Sequence, residues 1–203
     1  DQGAQWDAES RKDYYTWNQG SLLIPYSWLL ALKASDGQPF LADGLARFSM
    51  LPMEGRKLPV GMSLTTDASG IGQVGLTCAA CHSRQIQVAG TAYRIDGAPA
   101  SFHAEMFTKD LDAALQAVYE DSTKLQTFYN EVVAQSAQLG EPAPPDFATF
   151  PSQFLAQQKA KHTIVSSALP NAAMWGVGRI AALNQLFNRL GGVDLAVPPA
   201  ALV

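Results

Sequence analysis

The chain has 203 residues, of which 47% are hydrophobic and 16% are charged, and its formal net charge is −4. A chain of this length buries about 70% of the surface that it exposes when unfolded, which is enough for one substantial core. The small negative charge lacks the basic footprint of nucleic-acid-binding proteins, and no apolar run approaches the ~18 residues of a membrane span. We therefore expect one domain that binds no nucleic acid and does not insert into a membrane.

The apolar periodicity predicts helices joined by long irregular loops. In chain order, these helices run from Ser10 to Trp17, from Pro25 to Lys33, along two amphipathic stretches between Ser101 and Leu139, from about Ser152 to His162, and from Arg179 to Leu190. Glycines and prolines after Leu51 predict a loop that could carry coordinating side chains. Trp17 and Trp28 are expected to belong to the core.

Both cysteines of the chain lie in one short motif, Cys78-Ala79-Ala80-Cys81-His82. On a helix, residues three apart share a face, so the two sulfurs can bond neighbouring vinyl groups while the histidine faces the iron. C-x-x-C-H is the attachment site of a c-type haem. We therefore predict one covalently attached haem c, held by Cys78 and Cys81, with His82 as the proximal iron ligand.

Two other kinds of site use closely spaced cysteines. A structural zinc site needs four ligands, and one histidine accompanies the two thiols here. A thioredoxin-like pair needs a strand–helix–strand unit of parallel strands, which the sequence after His82 does not clearly supply. Zinc and redox sites remain the weaker alternatives, and a free catalytic thiol is excluded if haem occupies both cysteines.

The motif and the helical periodicity together predict a mainly α fold, a cytochrome c-like helical haem domain with long irregular loops. We assign residues 1–203 to a single c-type cytochrome domain. Residues 1–70 are expected to form an N-terminal extension packed on the haem core, and residues 71–203 are expected to form the haem-binding core itself. Segment 141–146, rich in proline, is expected to be an internal loop.

Several stretches besides the haem motif carry a resemblance to a known family. They are Gln19–Trp28, Leu58–Gly61, Val74–Thr77, Tyr93–Pro99 and Trp175–Arg179. Together they resemble the first, N-terminal haem half of the di-haem cytochrome c peroxidase superfamily, within it the rubber oxygenase A-like branch. The resemblance implies two c-type haems, each in a helical cytochrome-like domain, which act on peroxide or dioxygen.

The sequence departs from that family in two respects. It has no second C-x-x-C-H, and Ala181 stands where the resemblance leads us to expect an aspartate. We therefore expect the second haem on another chain or on a part beyond Val203. A single-haem relative is the other possibility. C-type maturation, by the same resemblance, implies a periplasmic or otherwise exported protein.

The sixth iron ligand decides between electron transfer and the binding of oxygen or peroxide. His103, 21 residues after His82, is the candidate distal ligand because its place resembles that of the distal histidine in di-haem peroxidases. A capping or surface role is its alternative. His162, Met53 and Met62 are weaker candidates, since a histidine at a helix end complements the helix dipole and methionines commonly fill core gaps.

Other candidate cofactor contacts come from two arginines and a tryptophan. Arg94 and, less strongly, Arg84 are expected to bind haem propionates, because a guanidinium offers a bidentate fork to a carboxylate. Trp175 lies in a glycine-bracketed turn. By the family resemblance it lines the distal pocket or an electron path between haems, and as an ordinary hydrophobic residue it anchors the core.

Two functions follow from these observations. The first is one half of a di-haem peroxidase or oxygenase-like enzyme, which needs an open or displaceable sixth iron site. The alternative is a single-haem electron carrier that docks with a redox partner protein and needs a filled sixth site. A gas-binding sensor would share the open site, but the sequence carries no recognisable output module.

Overall fold

The computed structural model of the chain describes residues 3–168 and Val177. The helices within this part are α1 Ala8–Thr16, α2 Tyr26–Ala31, α3 Cys78–His82, α4 Ala104–Tyr119, α5 Ser122–Leu139 and α6 Phe150–Ala168. The strands are β1 Ile24–Pro25, β2 Met62–Thr66, β3 Gly72–Leu76, β4 Ser83–Val88 and β5 Thr91–Asp96. The helix expected from Arg179 to Leu190 lies outside the described residues.

The predicted fold class, mainly α and cytochrome c-like, is wrong. The structure has 43% helix and 16% strand, and the strands form two antiparallel sheets. One sheet has three strands in the order β1-β3-β2, and the other is the β4–β5 hairpin. The chain is therefore an α/β mixture in which the haem motif lies between the two sheets in sequence.

Alternation along the strands explains the error. In β4 the polar Arg84 is followed at every second position by Ile86 and Val88, the period of a strand with one apolar face. Ala89 and Gly90 form a two-residue connection with φ angles of 49° and 82°. Two consecutive positive φ angles are typical of the type I′ turn that closes a hairpin.

Two of the helices, α1 and α5, begin at residues whose side chains cap them. The side chain of Asp7 accepts a hydrogen bond from the Ser10 amide and starts α1 before the predicted Ser10. Asp121 caps α5 in the same way, and Gly140 ends it in the left-handed conformation with a φ of 69°. Segment 141–146 contains neither helix nor strand.

Two aromatic clusters fill the core. The first lies between α2, α5 and α6, where the ring of Trp28 packs 5.1–6.0 Å from the rings of Phe128, Phe150 and Phe154. The second joins the loop before β2 to α4 through Phe40, Phe48, Phe102 and Phe107. Trp28 thus packs on the core as predicted, whereas Trp17 is 68% exposed and its prediction was wrong.

Within the described part of the chain, no helix is both long enough and apolar enough to cross a membrane.

Candidate functional site

The Cys78–His82 motif forms the short helix α3, which packs directly against the backbone of a neighbouring segment. The Thr77 side chain caps the helix by accepting a hydrogen bond from the Ala79 amide at 3.2 Å. The Thr77 amide in turn donates to the Gly61 carbonyl at 2.9 Å. A Cβ on Gly61 would lie 2.2 Å from the Ala80 nitrogen, so the glycine allows α3 to approach this closely.

The three motif residues differ in exposure. Cys78 and His82 are exposed, Cys81 is half-buried, and both thiols are free. The Cys78 thiol donates a hydrogen bond to Gln19 Oε1 at 2.9 Å. The His82 carbonyl accepts hydrogen bonds from the Tyr14 hydroxyl at 2.8 Å and the Gly97 amide at 2.6 Å. The backbone of the motif is therefore fixed while its thiols and imidazole remain available.

The chemistry of the thiols weakens the alternatives to haem. Burial, with a smaller contribution from the charge of Cys78, raises the pKa of Cys81 to about 11. The reactive thiol of a redox C-x-x-C pair is the one with a lowered pKa, so the raised pKa shows only that Cys81 is not such a thiol. Strands β3 and β4 flank α3 but belong to separate sheets, so they do not form a βαβ unit. Among the residues described, no group of three or more potential metal ligands is present.

The β4–β5 hairpin begins at Ser83, directly after the motif. Its register pairs Arg84 with Ile95 and Ile86 with Tyr93, and paired residues lie on the same face. The apolar side chains of this face are 37–54% exposed, and they are Ile86, Val88, Tyr93 and Ile95. We call this surface, together with Arg84, the outer face of the hairpin.

The outer face adjoins the exposed histidine of the motif. Ser83 is buried, and both of its neighbours, His82 and Arg84, are exposed, as the alternation of side chains along a strand requires. A two-stranded hairpin alone is only marginally stable in water, and exposed apolar patches mark binding surfaces. The outer face is therefore an open apolar surface next to the motif.

The opposite, inner face of the hairpin is buried only at its base and carries the half-buried Arg94 beside the exposed Gln85. Its guanidinium donates hydrogen bonds to the Pro52 carbonyl at 3.1 Å and to Gln85 Oε1 at 3.3 Å. The same group lies 5.9 Å from the centre of the Tyr15 ring. The two candidate propionate ligands thus lie on opposite faces of the hairpin, with Arg84 on the apolar outer face.

A buried carboxylate fixes the base of the hairpin. Asp96 accepts hydrogen bonds from Tyr15 at 2.7 Å and from Trp6 and Arg11 at 3.0 Å each. Burial alone would raise the pKa of Asp96, but the hydrogen bonds and the Arg11 charge lower it. The carboxylate and burial together raise the pKa of Tyr15 to about 12. Helix α1 is thereby fixed to the strand that carries the outer face.

The predicted distal ligand lies in a neighbouring segment. The Ala100 amide donates to the Cys81 carbonyl at 2.9 Å, which brings this segment against α3. His103 follows it as the half-buried N-cap residue of α4, and its amide donates to the Phe48 carbonyl at 3.0 Å. Its side chain makes no capping hydrogen bond, so both distal ligation and the capping role stay predictions.

The remaining ligand candidates have structural partners. His162 lies inside α6, not at its end, and its Nδ1 is 2.8 Å from Asp112 Oδ2. Met62 is fully buried in the core. Met53 is half-buried and packs against a small cluster that includes Ala79 of the motif, which makes it the better placed methionine. Trp175 lies outside the described residues.

Sequence reasoning missed the outer face and the Asp96 cluster. The outer face had a readable signal, the alternation in β4 and the turn at Ala89 and Gly90. The Asp96 cluster had none, because the donors Trp6 and Arg11 precede it by 90 and 85 residues. Two cavities, of about 380 and 490 Å³, are lined by residues outside the motif and the hairpin.

Comparison with known proteins finds one relative among those whose sequences are curated. The chain is similar to an uncharacterized protein, y4iJ, of Sinorhizobium fredii (strain NBRC 101917 / NGR234), with 29% identity over 216 residues. The match covers 95% of this chain and 36% of that protein, so the chain spans little more than a third of its relative's length. No family model matches the sequence, and no solved structure matches it.

Proposed function

We propose that Cys78 and Cys81 carry one covalently bound haem c, with His82 as its proximal iron ligand, and that the chain is a redox protein. The observation that carries this proposal is the arrangement of α3. Its two free thiols are one helical turn apart, and the exposed His82 follows them on a firmly fixed backbone. When bound, the haem supplies an iron centre that changes its oxidation state by one electron.

The outer face of the hairpin supports the proposal, because a porphyrin is a broad apolar plane with two carboxylates at one edge. Ile86 and Tyr93 offer apolar contact beside the motif, and Arg84 offers a guanidinium on the same face. Such a group pairs with a propionate through two hydrogen bonds. Arg84 is better placed for this role than Arg94, whose guanidinium already binds Pro52 and Gln85.

We further propose that the chain acts as one half of a di-haem peroxidase or oxygenase-like protein, on peroxide or dioxygen. The support is the resemblance of the segments around the motif to that superfamily, in which a second haem lies on another domain or chain. Trp175 and His103 keep the distal roles that the resemblance gives them. Covalent haem attachment implies export, so we place the chain in the periplasm or another exported compartment.

A single-haem electron carrier is the second candidate. The exposure of both Cys78 and His82 favours it, because the haem edge nearest to these residues would be open to a redox partner. Small, transient contacts around such an edge are sufficient for electron transfer between proteins. The two candidates share the cofactor and differ in the sixth iron site.

The cofactor is tested first, with the intact mass and haem content of protein produced in a host that matures c-type cytochromes. We expect the mass of one haem on the wild-type chain and its loss from Cys78→Ser. The matched control is Gln19→Ala, which removes the hydrogen bond to the Cys78 thiol and should retain the haem. Wild-type protein without bound haem would contradict the proposal.

The sixth iron site is tested by absorption spectra of the ferric and dithionite-reduced protein, with and without carbon monoxide. A carbon-monoxide-responsive or high-spin iron supports the peroxidase or oxygenase-like role. A low-spin iron indifferent to carbon monoxide supports the electron carrier. His103→Gly should change the ferric spectrum if His103 binds the iron, and an unchanged spectrum removes it as a ligand.

A further inference from the structure

We propose that the chain has a second binding site, a cavity of about 380 Å³ that takes a small organic ammonium ion. Its walls come from the β1–β3 edge of the sheet, from α2, α5 and α6, and from the proline-rich segment after Glu141. The volume lies in the range of small-molecule sites, at a junction of several elements. None of its lining residues belongs to the haem motif or the hairpin, so the proposal does not depend on haem.

The charge of the lining selects a cation. Two acidic residues, Asp67 and Glu141, line the cavity, and among the described residues that line it there is no lysine, arginine or histidine. Hydrogen bonds from Ser69, Gln73 and Ile71 lower the pKa of Asp67 to about 2, so this carboxylate is charged at neutral pH. An anionic ligand would meet repulsion here, whereas a cation would meet a complementary field.

Glu141 provides the specific contact. Its Oε1 accepts a hydrogen bond from the Gly72 amide at 2.9 Å, whereas Oε2 is buried and has no hydrogen-bond partner. A Cβ at position 72 would lie 2.8 Å from Oε1, so the glycine makes room for this carboxylate. A buried carboxylate oxygen without a donor is unfavourable. An N–H donor in the cavity would supply the missing partner after a small rotation of the carboxylate.

The aromatic residue in the lining determines which kind of body the ammonium group carries. The half-buried Trp28 lines the cavity and is held by the surrounding phenylalanine rings. A tryptophan face attracts cations and packs on apolar groups. Gln153 and Gln157, on α6, add exposed amide groups at the rim. An ammonium group attached to a small apolar or aromatic body is therefore the ligand class that fits.

The first test compares three probes of similar shape on the wild-type protein by isothermal titration calorimetry at pH 7. The probes are phenethylammonium, the neutral 2-phenylethanol and the anionic 3-phenylpropionate. We expect phenethylammonium to bind at least about tenfold more tightly than the alcohol, and the anion to give no detectable binding. Equal binding of the cation and the alcohol, or preference for the anion, would overturn the proposal.

The second test locates the cation. The Gly72 amide resonance should shift on titration with phenethylammonium, because its acceptor is Glu141. Glu141→Gln should weaken binding at least about tenfold, whereas the control Glu131→Gln, on the wall of the other cavity, should not change it. Unaltered binding to Glu141→Gln would overturn the proposal. If that variant does not fold, the wild-type Gly72 shift and probe order decide the question.

The haem absorption spectrum is recorded during the same titration, because amines also bind ferric iron. Binding at the cavity leaves the spectrum unchanged. If the spectrum changes in step with the heat of binding, and the Gly72 resonance does not move, the amine binds iron and the cavity proposal is wrong. Failure of haem attachment would not affect either test.

Discussion

The two sheets of this chain share an alternating pattern of apolar residues. They differ in how far those apolar side chains are buried. In the three-stranded sheet, Ile24, Met62 and Val74 are almost completely buried, and of their apolar neighbours on the same face Leu64 in β2 is 42% exposed. In the β4–β5 hairpin, Ile86 and Tyr93 remain 37% and 51% exposed. The difference shows that apolar alternation predicts a strand but not what covers it. An apolar face left open beside a cysteine pair is better explained by binding than by folding.

The largest expected effect contrasts the closed core with the open hairpin. Phe154 is 1% exposed and packs against Trp28, Phe128 and Phe150. Phe154→Ala should lower the free energy of unfolding by about 3–5 kcal/mol, because it leaves a cavity in the core. Urea denaturation followed by circular dichroism measures this.

The matched change on the outer face is Tyr93→Ser. It should alter the free energy of unfolding by less than about 0.5 kcal/mol in protein without haem, as expected for an exposed position. In haem-loaded protein it should reduce the stability more, since the residue then contacts the porphyrin. Equal effects with and without haem would show that the outer face does not cover the cofactor.

The next effect tests how α3 is held. Gly61 has a φ of 87°, and a Cβ there would lie 2.2 Å from the backbone of Ala80. Gly61→Ala should therefore lower the free energy of unfolding by about 3–4 kcal/mol, from overpacking added to the left-handed conformation. Haem attachment should fall with it, because α3 must shift. Thermal unfolding and haem content measure both.

Gly90→Ala is the control for Gly61→Ala. Gly90 has a φ of 82°, but a Cβ there meets no atom within 4 Å. The variant should therefore lose only about 1–2 kcal/mol, which is what a left-handed backbone costs an alanine. The difference between the two variants isolates the contact with α3. If both variants lose the same stability, the close approach of Gly61 to Ala80 does not fix the motif.

A smaller effect concerns the Asp96 cluster, which joins the hairpin to α1. Asp96→Asn removes a buried charge that accepts hydrogen bonds from Tyr15, Trp6 and Arg11 and should lower the free energy of unfolding by about 2 kcal/mol. Because folding lowers the pKa of Asp96, its contribution is complete above the unfolded value near 3.8. It disappears as the pH falls through the folded value.

The pH dependence separates this cluster from a simple packing defect. Urea denaturation from pH 6 to pH 2.5 should show the wild-type protein losing stability faster than Asp96→Asn below about pH 4. Thr127→Ala provides the control, since it removes a hydroxyl that donates to the Thr123 carbonyl within α5 and contacts no titrating group in that bond. If the stabilities of the wild type and Asp96→Asn fall in parallel, Asp96 does not supply the part of the free energy of unfolding that is lost in acid.

The sequence predicted local features and missed long-range ones. The bounds of α1 and the end of α5 at Leu139 were near to those observed, because apolar periodicity and capping act within a few residues. The hairpin was readable from alternation at Ile86 and Val88, and the mainly α prediction was wrong because that alternation was not used. The motif was found because its spacing is local. The pairing of Asp96 with Trp6 depends on tertiary contacts that no local pattern carries.

The substitution with the smallest expected effect on stability tests most directly which face of the hairpin contacts the haem. Arg84→Gln should leave the free energy of unfolding within about 0.5 kcal/mol, because Arg84 is exposed. It should lower the haem reduction potential, since loss of a positive charge near a propionate favours the ferric state. Arg94→Gln should instead cost about 1 kcal/mol through the lost Pro52 contact and leave the potential nearly unchanged. Spectroelectrochemical titration of both variants measures this. If Arg94→Gln shifts the potential and Arg84→Gln does not, the inner face is the one that meets the cofactor.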